Sequence, residues 1–184
     1  MTTQPKLITY QDYLAGPEIK QRKEIVDGKL IMFGPMRPHQ IVLGNVYRPV
    51  WAFVDENGMG EVLMAPSDVI VQRDPLRVRQ PDIEFTSNER AYILGDRIEG
   101  GPDLVVEILS PSNTRAYMAE KLADYAGINV RECWLIALNT RTVEVLHLED
   151  GQWRTAYTRG EGEILESAVL PGLELDIAGL FRGV

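Results

Sequence analysis

The stretch Asp103-Leu104-Val105-Val106-Glu107-Ile108-Leu109 decides the fold. It is apolar on both faces except for one acid, so it reads as a central strand covered on both sides. Residues 105, 107 and 109 share a face, so Glu107 points into a largely apolar layer. An unpaired ionised carboxylate there would cost several kcal/mol. A metal, a cation or a raised pKa has to compensate it. From the pattern alone, a buried ion pair and a functional site weigh equally.

Downstream, the spacing predicts a helix over 114–125 that ends at Gly127. Such a helix packs back on the strand it follows, which lets Lys121 meet Glu107. By position alone Lys121 reads as a solvated surface lysine. Strands follow at 132–138, 142–148 and 152–158, with turns at Asn139-Thr140-Arg141 and Glu149-Asp150-Gly151. The tail carries Leu170-Pro171-Gly172 and a short helix over 177–181.

Upstream, a strand over 81–86 opens on Pro81-Asp82. Proline cannot donate a ladder hydrogen bond and favours strand starts, which puts Asp82 near a sheet end. Glu84 shares its face and could be a second acid. Taken singly, both read as ordinary acids. Residues 61–65 and 68–72 give two strands joined by Pro66-Ser67, followed by a turn at Asp74-Pro75. Residues 87–100 read as a loop insertion with a short helix. The best helix spans 38–56, where Val42, Leu43, Val46, Val50, Phe53 and Val54 recur at helical spacing and Pro49 should introduce a kink. His39 opens that helix with no obvious charge role. Thr9 caps a short helix over 9–15. Residues 22–34 form a hairpin that turns at Asp27-Gly28 and carries Glu24 in its first strand. The sum is a single α/β (α+β) domain over 1–184: a mixed, mostly antiparallel central sheet flanked by helices, with an N-terminal hairpin and C-terminal antiparallel strands.

The chain of 184 residues carries a net charge of −8, from 19 basic against 27 acidic residues. That weighs against strong non-specific nucleic-acid binding, although a local basic strip can coexist with an acidic body. The lone Cys133 excludes an intramolecular disulfide and a cysteine zinc cluster. No apolar h-region follows the polar residues 1–6, and no apolar run approaches the roughly 20 residues of a membrane helix. The expectation is a cytoplasmic protein without a membrane partner. A Gly-rich phosphate loop, HExxH, GxSxG and CxxC are all missing from the sequence, which removes the common nucleotide-binding, zinc-protease and serine-hydrolase readings.

An ordered set of residues carries a resemblance. It runs Glu24-Ile-Val-Asp-Gly, His39, Pro81-Asp82, Gly101-Pro-Asp-Leu-Val-Val-Glu107-Ile-Leu-Ser-Pro-Ser-Asn113, Lys121, Tyr125, Gly127, Glu132-Cys-Trp-Leu-Ile and Leu170-Pro-Gly-Leu-Glu-Leu. Over nearly the whole chain this resembles the Uma-type family of restriction endonucleases, long catalogued as a domain of unknown function, within the PD-(D/E)XK nuclease superfamily. The resemblance implies a restriction-endonuclease-like core. It implies that Asp82 and Glu107 bind a divalent metal, that Glu24 is the acid of the first conserved element, and that Lys121 is the catalytic lysine. In the superfamily that lysine usually lies two residues after the acid. Leu109 stands there, so the resemblance moves the lysine onto the helix. The Asp that relatives often carry shortly before it has no counterpart in 115–120, and Glu120 should point to another helix face.

The resulting expectation is a Mg²⁺- or Mn²⁺-dependent phosphodiesterase acting on DNA, since all-oxygen ligands suit a hard cation. Three carboxylates against one lysine would leave its site negative. A homodimer would serve double-strand cutting. Two other readings stand beside it: a non-catalytic nucleic-acid- or protein-binding module on the same fold, and a Glu107–Lys121 ion pair that is structural only.

Overall fold

The stretch around Glu107 is strand β7 (Leu104–Leu109), hydrogen-bonded on both sides inside a six-stranded sheet. The computed structural model describes residues 7–17, 22–32, 34, 36–110 and 113–184. Residues 1–6, Phe33 at the end of the expected hairpin, and Pro111 and Ser112 of the quoted motif lie outside the described residues.

In chain order, α1 (Tyr10–Ala15) precedes the hairpin β1 (Lys23–Val26) and β2 (Lys29–Met32). Then come α2 (Arg37–Glu56), β3 (Gly60–Met64), β4 (Val69–Arg73), β5 (Leu76–Arg79), β6 (Ile83–Ser87) and a 3₁₀ turn (Asn88–Ile93). After β7 follow α3 (Arg115–Gly127), β8 (Glu132–Ala137), β9 (Thr142–Glu149), β10 (Gln152–Gly160), β11 (Ile164–Glu166), β12 (Glu174–Asp176) and α4 (Ile177–Leu180).

The large sheet has the order β10-β9-β8-β7-β6-β3. Its β7–β8 pair is parallel and its other pairs are antiparallel, so the sheet is mixed as expected. Alternation along β7 divides two cores. Leu104, Val106 and Ile108 pack with Val42, Val46 and Val50 of α2 and with the C-terminal tail. Val105 packs on the opposite side with Tyr125 of α3, Cys133 and Leu146. A smaller antiparallel sheet, β2-β1-β5-β4, lies toward α3 and meets it through charged side chains.

Local chemistry explains the element ends. Thr9 and Asp12 form a reciprocal capping box on α1. Thr114 caps α3 by accepting from the Tyr117 N–H at 3.2 Å. Asp27 and Gly28 take the positive φ values, 49° and 73°, that the tight hairpin turn requires. Pro49 sits inside one continuous helical span.

Two expectations change. The segment between Asp74 and Ser87 holds two strands. Leu76–Arg79 belongs to the small sheet, Pro81 interrupts the ladder, and Ile83–Ser87 belongs to the large one. Leu76 and Val78 alternate with Arg77 and Arg79, and two arginines on one strand face disguise a buried strand as a loop. In addition, β3 pairs with β6 while β4 pairs with β5, so Pro66-Ser67 carries the chain from one sheet to the other. The short β11–β12 pair was not anticipated, because three residues carry no readable alternation. Among the described residues no helix is long and apolar enough to cross a membrane.

Candidate active site

The strand register brings the first two acids together. Ile83 pairs with Val106 in the antiparallel β6–β7 ladder, so one step further Asp82 lies opposite Glu107. The Asp82 N–H donates to the Val106 carbonyl at 3.0 Å. The Ile108 N–H donates to Asp82 Oδ2 at 2.6 Å, a side-chain bond where the ladder ends. Asp82 is fully buried at the sheet end, as the Pro81 argument required.

Helix α3 supplies the next layer. Tyr117, Lys121 and Tyr125 recur every four residues and so form one stripe, which faces Glu107. Lys121 Nζ lies 2.8 Å from Glu107 and 2.8 Å from Glu24 Oε1. The Tyr125 hydroxyl donates to Glu107 Oε1 at 2.5 Å, and the Tyr117 hydroxyl donates to Glu24 Oε2. Glu120 points away from this stripe and meets Arg77 Nη2 at 2.9 Å, on a different face as expected.

Glu24 reaches the cluster from the small sheet. Ile25 pairs with Val78, which sets Glu24 beside Arg79 on the face toward α3. Arg79 is completely buried; its Nη1 lies 2.8 Å from Glu24 Oε2, and its Nε donates to Asp124 Oδ2 at 2.7 Å. Arg77 extends the network to Asp27 and Asp124. Charges thus alternate from Asp27 through Arg77, Asp124, Arg79, Glu24 and Lys121 to Glu107, and these pairs join the two sheets through α3.

The surroundings push the acids apart. Burial raises Glu107, with Asp82 and Glu24 adding to the effect against Lys121, so its carboxyl holds a proton more readily than usual. Burial opposes ionisation of Glu24 as well, but Lys121 and Arg79 overrule it and hold that carboxyl below the ordinary range. Asp82 is likewise buried, yet the His39 contact and the Arg22 charge bring it below the ordinary value. Burial would discharge Lys121, but Glu107 and Glu24 outweigh it and keep the ammonium charged.

Glu24, Glu107 and Lys121 line a cavity of about 300 Å³ together with Arg22, His39 and Tyr117, while Asp82 lies behind that wall in contact with Arg22 and His39. Arg22 Nη1 lies 2.5 Å from Asp82 Oδ1, and His39 Nε2 lies 3.1 Å from the same oxygen. A wider groove of about 680 Å³, lined by Lys23, Asp68, Gln80 and Arg97 among others, does not include these acids in its wall.

All four residues singled out from the sequence, Glu24, Asp82, Glu107 and Lys121, therefore meet in one place. Glu84 is buried on the same side of the sheet but stays outside the contacts around Lys121. Arg22, Arg79 and Tyr117 were missed, and His39 had been given no role. A signal did exist for Arg79, whose alternation with Val78 aims it to the Glu24 side. Arg22 and Arg79 add cations that the sequence reading left out: Arg22 faces Asp82, and Arg79 is shared between Glu24 and Asp124.

The same architecture occurs in a crystal structure of a putative nuclease of the DUF820 family from Anabaena variabilis ATCC 29413, with a TM-score of 0.79 at 20% identity over 95% of this chain and 97% of that chain. At that identity the likeness speaks for the fold. No curated protein matches the sequence. The model of the Uma2 family, described as putative restriction endonuclease, matches residues 10–178, from the start of α1 into α4. With Asp82, Glu107 and Lys121 all inside the matched span, the chain belongs to the Uma2 family of putative restriction endonucleases.

Proposed function

We propose that this protein hydrolyses phosphodiester bonds in DNA with the help of a bound Mg²⁺ or Mn²⁺. One observation carries the reading: a charged lysine clamped at 2.8 Å to each of two buried glutamates, all three lining a cavity, with a buried aspartate on the adjacent strand. A structural ion pair needs no cavity. Replacing such a pair by apolar residues is often neutral or stabilising, so fold stability alone does not account for a network of this size.

The residues fit a hard divalent ion. Asp82 Oδ1 and the Glu107 carboxylate are oxygen donors on adjacent strands, and Asp82 Oδ1 is a buried oxygen without a well-directed hydrogen bond among the described residues. Those residues hold no group of three or more His, Cys, Asp or Glu placed to cage a metal. Mg²⁺ tolerates such a set, because it keeps several waters and takes one or two protein carboxylates. Asp82 and Glu107 would hold the ion, which supplies an acidified water and neutralises charge on the phosphoryl group.

The protein's own groups do the rest. Lys121 stays protonated, so it acts as a fixed positive charge and hydrogen-bond donor rather than as a base. Glu24 holds that ammonium in place from the far side, and the Tyr117 hydroxyl donates to Glu24 in turn. Tyr125 fixes the Glu107 carboxylate.

Nicking of supercoiled plasmid tests the reading. The wild type should nick only with Mg²⁺ or Mn²⁺, and Asp82→Ala, Glu107→Ala and Lys121→Ala should each lose about 100-fold or more. Equal cleavage by all four proteins would overturn it.

A further inference from the structure

Asp82 has one oxygen to offer a metal, and an arginine is already on it. Oδ2 is engaged by the Ile108 N–H at 2.6 Å, while Oδ1 carries Arg22 Nη1 at 2.5 Å. We infer that Arg22 is the resident counter-cation of Asp82, that a divalent ion displaces it from Oδ1, and that the released guanidinium then binds the phosphate of the substrate. The inference rests on the nuclease reading above.

Arg22 is placed for such a move. It stands just ahead of β1, lines the cavity and keeps about a fifth of its side chain exposed, at 21%. Its Nη2 donates to the Gln80 carbonyl at 3.3 Å and its Nη1 lies 3.4 Å from His39 Nε2, both near the limit of a hydrogen bond. Lys121, by contrast, is buried and bonded at 2.8 Å on two sides. Of the two cations that face Asp82 and Glu107, Arg22 is the more exposed and so the one placed to leave. Asp82 would keep His39 and the Ile108 N–H as neighbours.

Charge balance points the same way. Asp82 Oδ1 is already matched by the Arg22 charge. A doubly charged ion on the same oxygen with Arg22 still in place would set two cations against one carboxylate in a buried space, which is costly. Moving the guanidinium outward relieves the excess and puts it where a phosphodiester supplies the missing negative charge. Arginine suits that task, because its planar fork matches two phosphate oxygens at once.

Metal binding without DNA isolates the claim. Mn²⁺ is titrated by calorimetry into wild type, Arg22→Gln and Arg22→Lys, and each protein is melted in EDTA and in Mn²⁺. Arg22→Gln should bind Mn²⁺ several-fold more tightly than wild type, with Arg22→Lys between them. Arg22→Gln should also melt lower than wild type in EDTA, where Asp82 has lost its partner, and gain more from Mn²⁺. Its affinity for a short DNA duplex in Ca²⁺ should fall about tenfold, the loss of one charge-assisted phosphate contact. A purely structural Arg22 would lower both melting points equally and leave Mn²⁺ affinity unchanged or weaker. That result, with wild type still nicking plasmid in Mn²⁺, overturns the displacement and spares the nuclease reading. Absence of Mn²⁺ heat in all three proteins, with no nicking by wild type, overturns both.

Discussion

Glu107 shows how one residue separates a structural from a chemical role. Its contacts with Lys121 and Tyr125 satisfy the ion-pair reading and the active-site reading alike. Substitution distinguishes them. Lys121→Met should destabilise the fold by about 3–5 kcal/mol, because Glu24 and Glu107 lose their shared cation. Adding Glu107→Gln should recover part of that stability in urea titrations and none of the cleavage. Recovery of both would make the pair structural only. Glu84 gives a second test. Burial pushes its carboxyl up to about 8, with Glu107 and Asp68 adding to the effect and the Ser67 hydroxyl opposing it. In the unfolded chain it ionises near its ordinary value of 4.5. Between those values the folded state holds the extra proton, so Glu84's contribution is full at low pH and is lost as pH rises toward 8. Glu84→Gln should flatten that decline in denaturation midpoints measured from pH 5 to 9; an unchanged slope would contradict the assignment. The identities of Glu107 and Asp82 were legible in the sequence because each breaks a local pattern, an acid in an apolar strand and a proline at a strand start. Arg22 breaks none, and only the folded chain brings it to Asp82.

At the scale of elements, the site depends on how α3 is set against β7. The strand and the helix after it were readable from apolar run and spacing, and so was the Asp27-Gly28 hairpin. Strand β5 was not, because its arginine face meets acids of the β1–β2 hairpin and of α3, and no local pattern reports partners that distant. The seating of α3 also depends on Gly101, just ahead of β7. A Cβ added there would lie 2.1 Å from the carbonyl oxygen of Ile128, the residue that caps α3. Backbone cannot swing aside as a side chain can, so Gly101→Ala should cost about 1–3 kcal/mol. In a chain of this size that is a fall of several degrees in Tm. Because the same shift displaces Lys121 from Glu107, cleavage should drop with it. An unchanged Tm would show that the strand–helix contact is slack.

Across the whole molecule, the acidic balance of −8 hides a local arrangement that composition cannot report. Cations are paired with the site's acids, and those ion pairs also join the two sheets through α3. The mixed sheet and its flanking helices were legible from the order of elements. The division of the strands between two sheets was not, since Pro66-Ser67 reads only as a joint between two strands and local sequence does not say which sheet each enters. The central claim is that the paired strand ends carrying Asp82 and Glu107 form a divalent-metal site. Anomalous scattering from a crystal soaked in Mn²⁺ tests it most directly. The account predicts a manganese peak bound by both carboxylates, with Lys121 still on Glu107 and Arg22 drawn off Asp82. Saturating Mn²⁺ that leaves no peak at these two residues would contradict it.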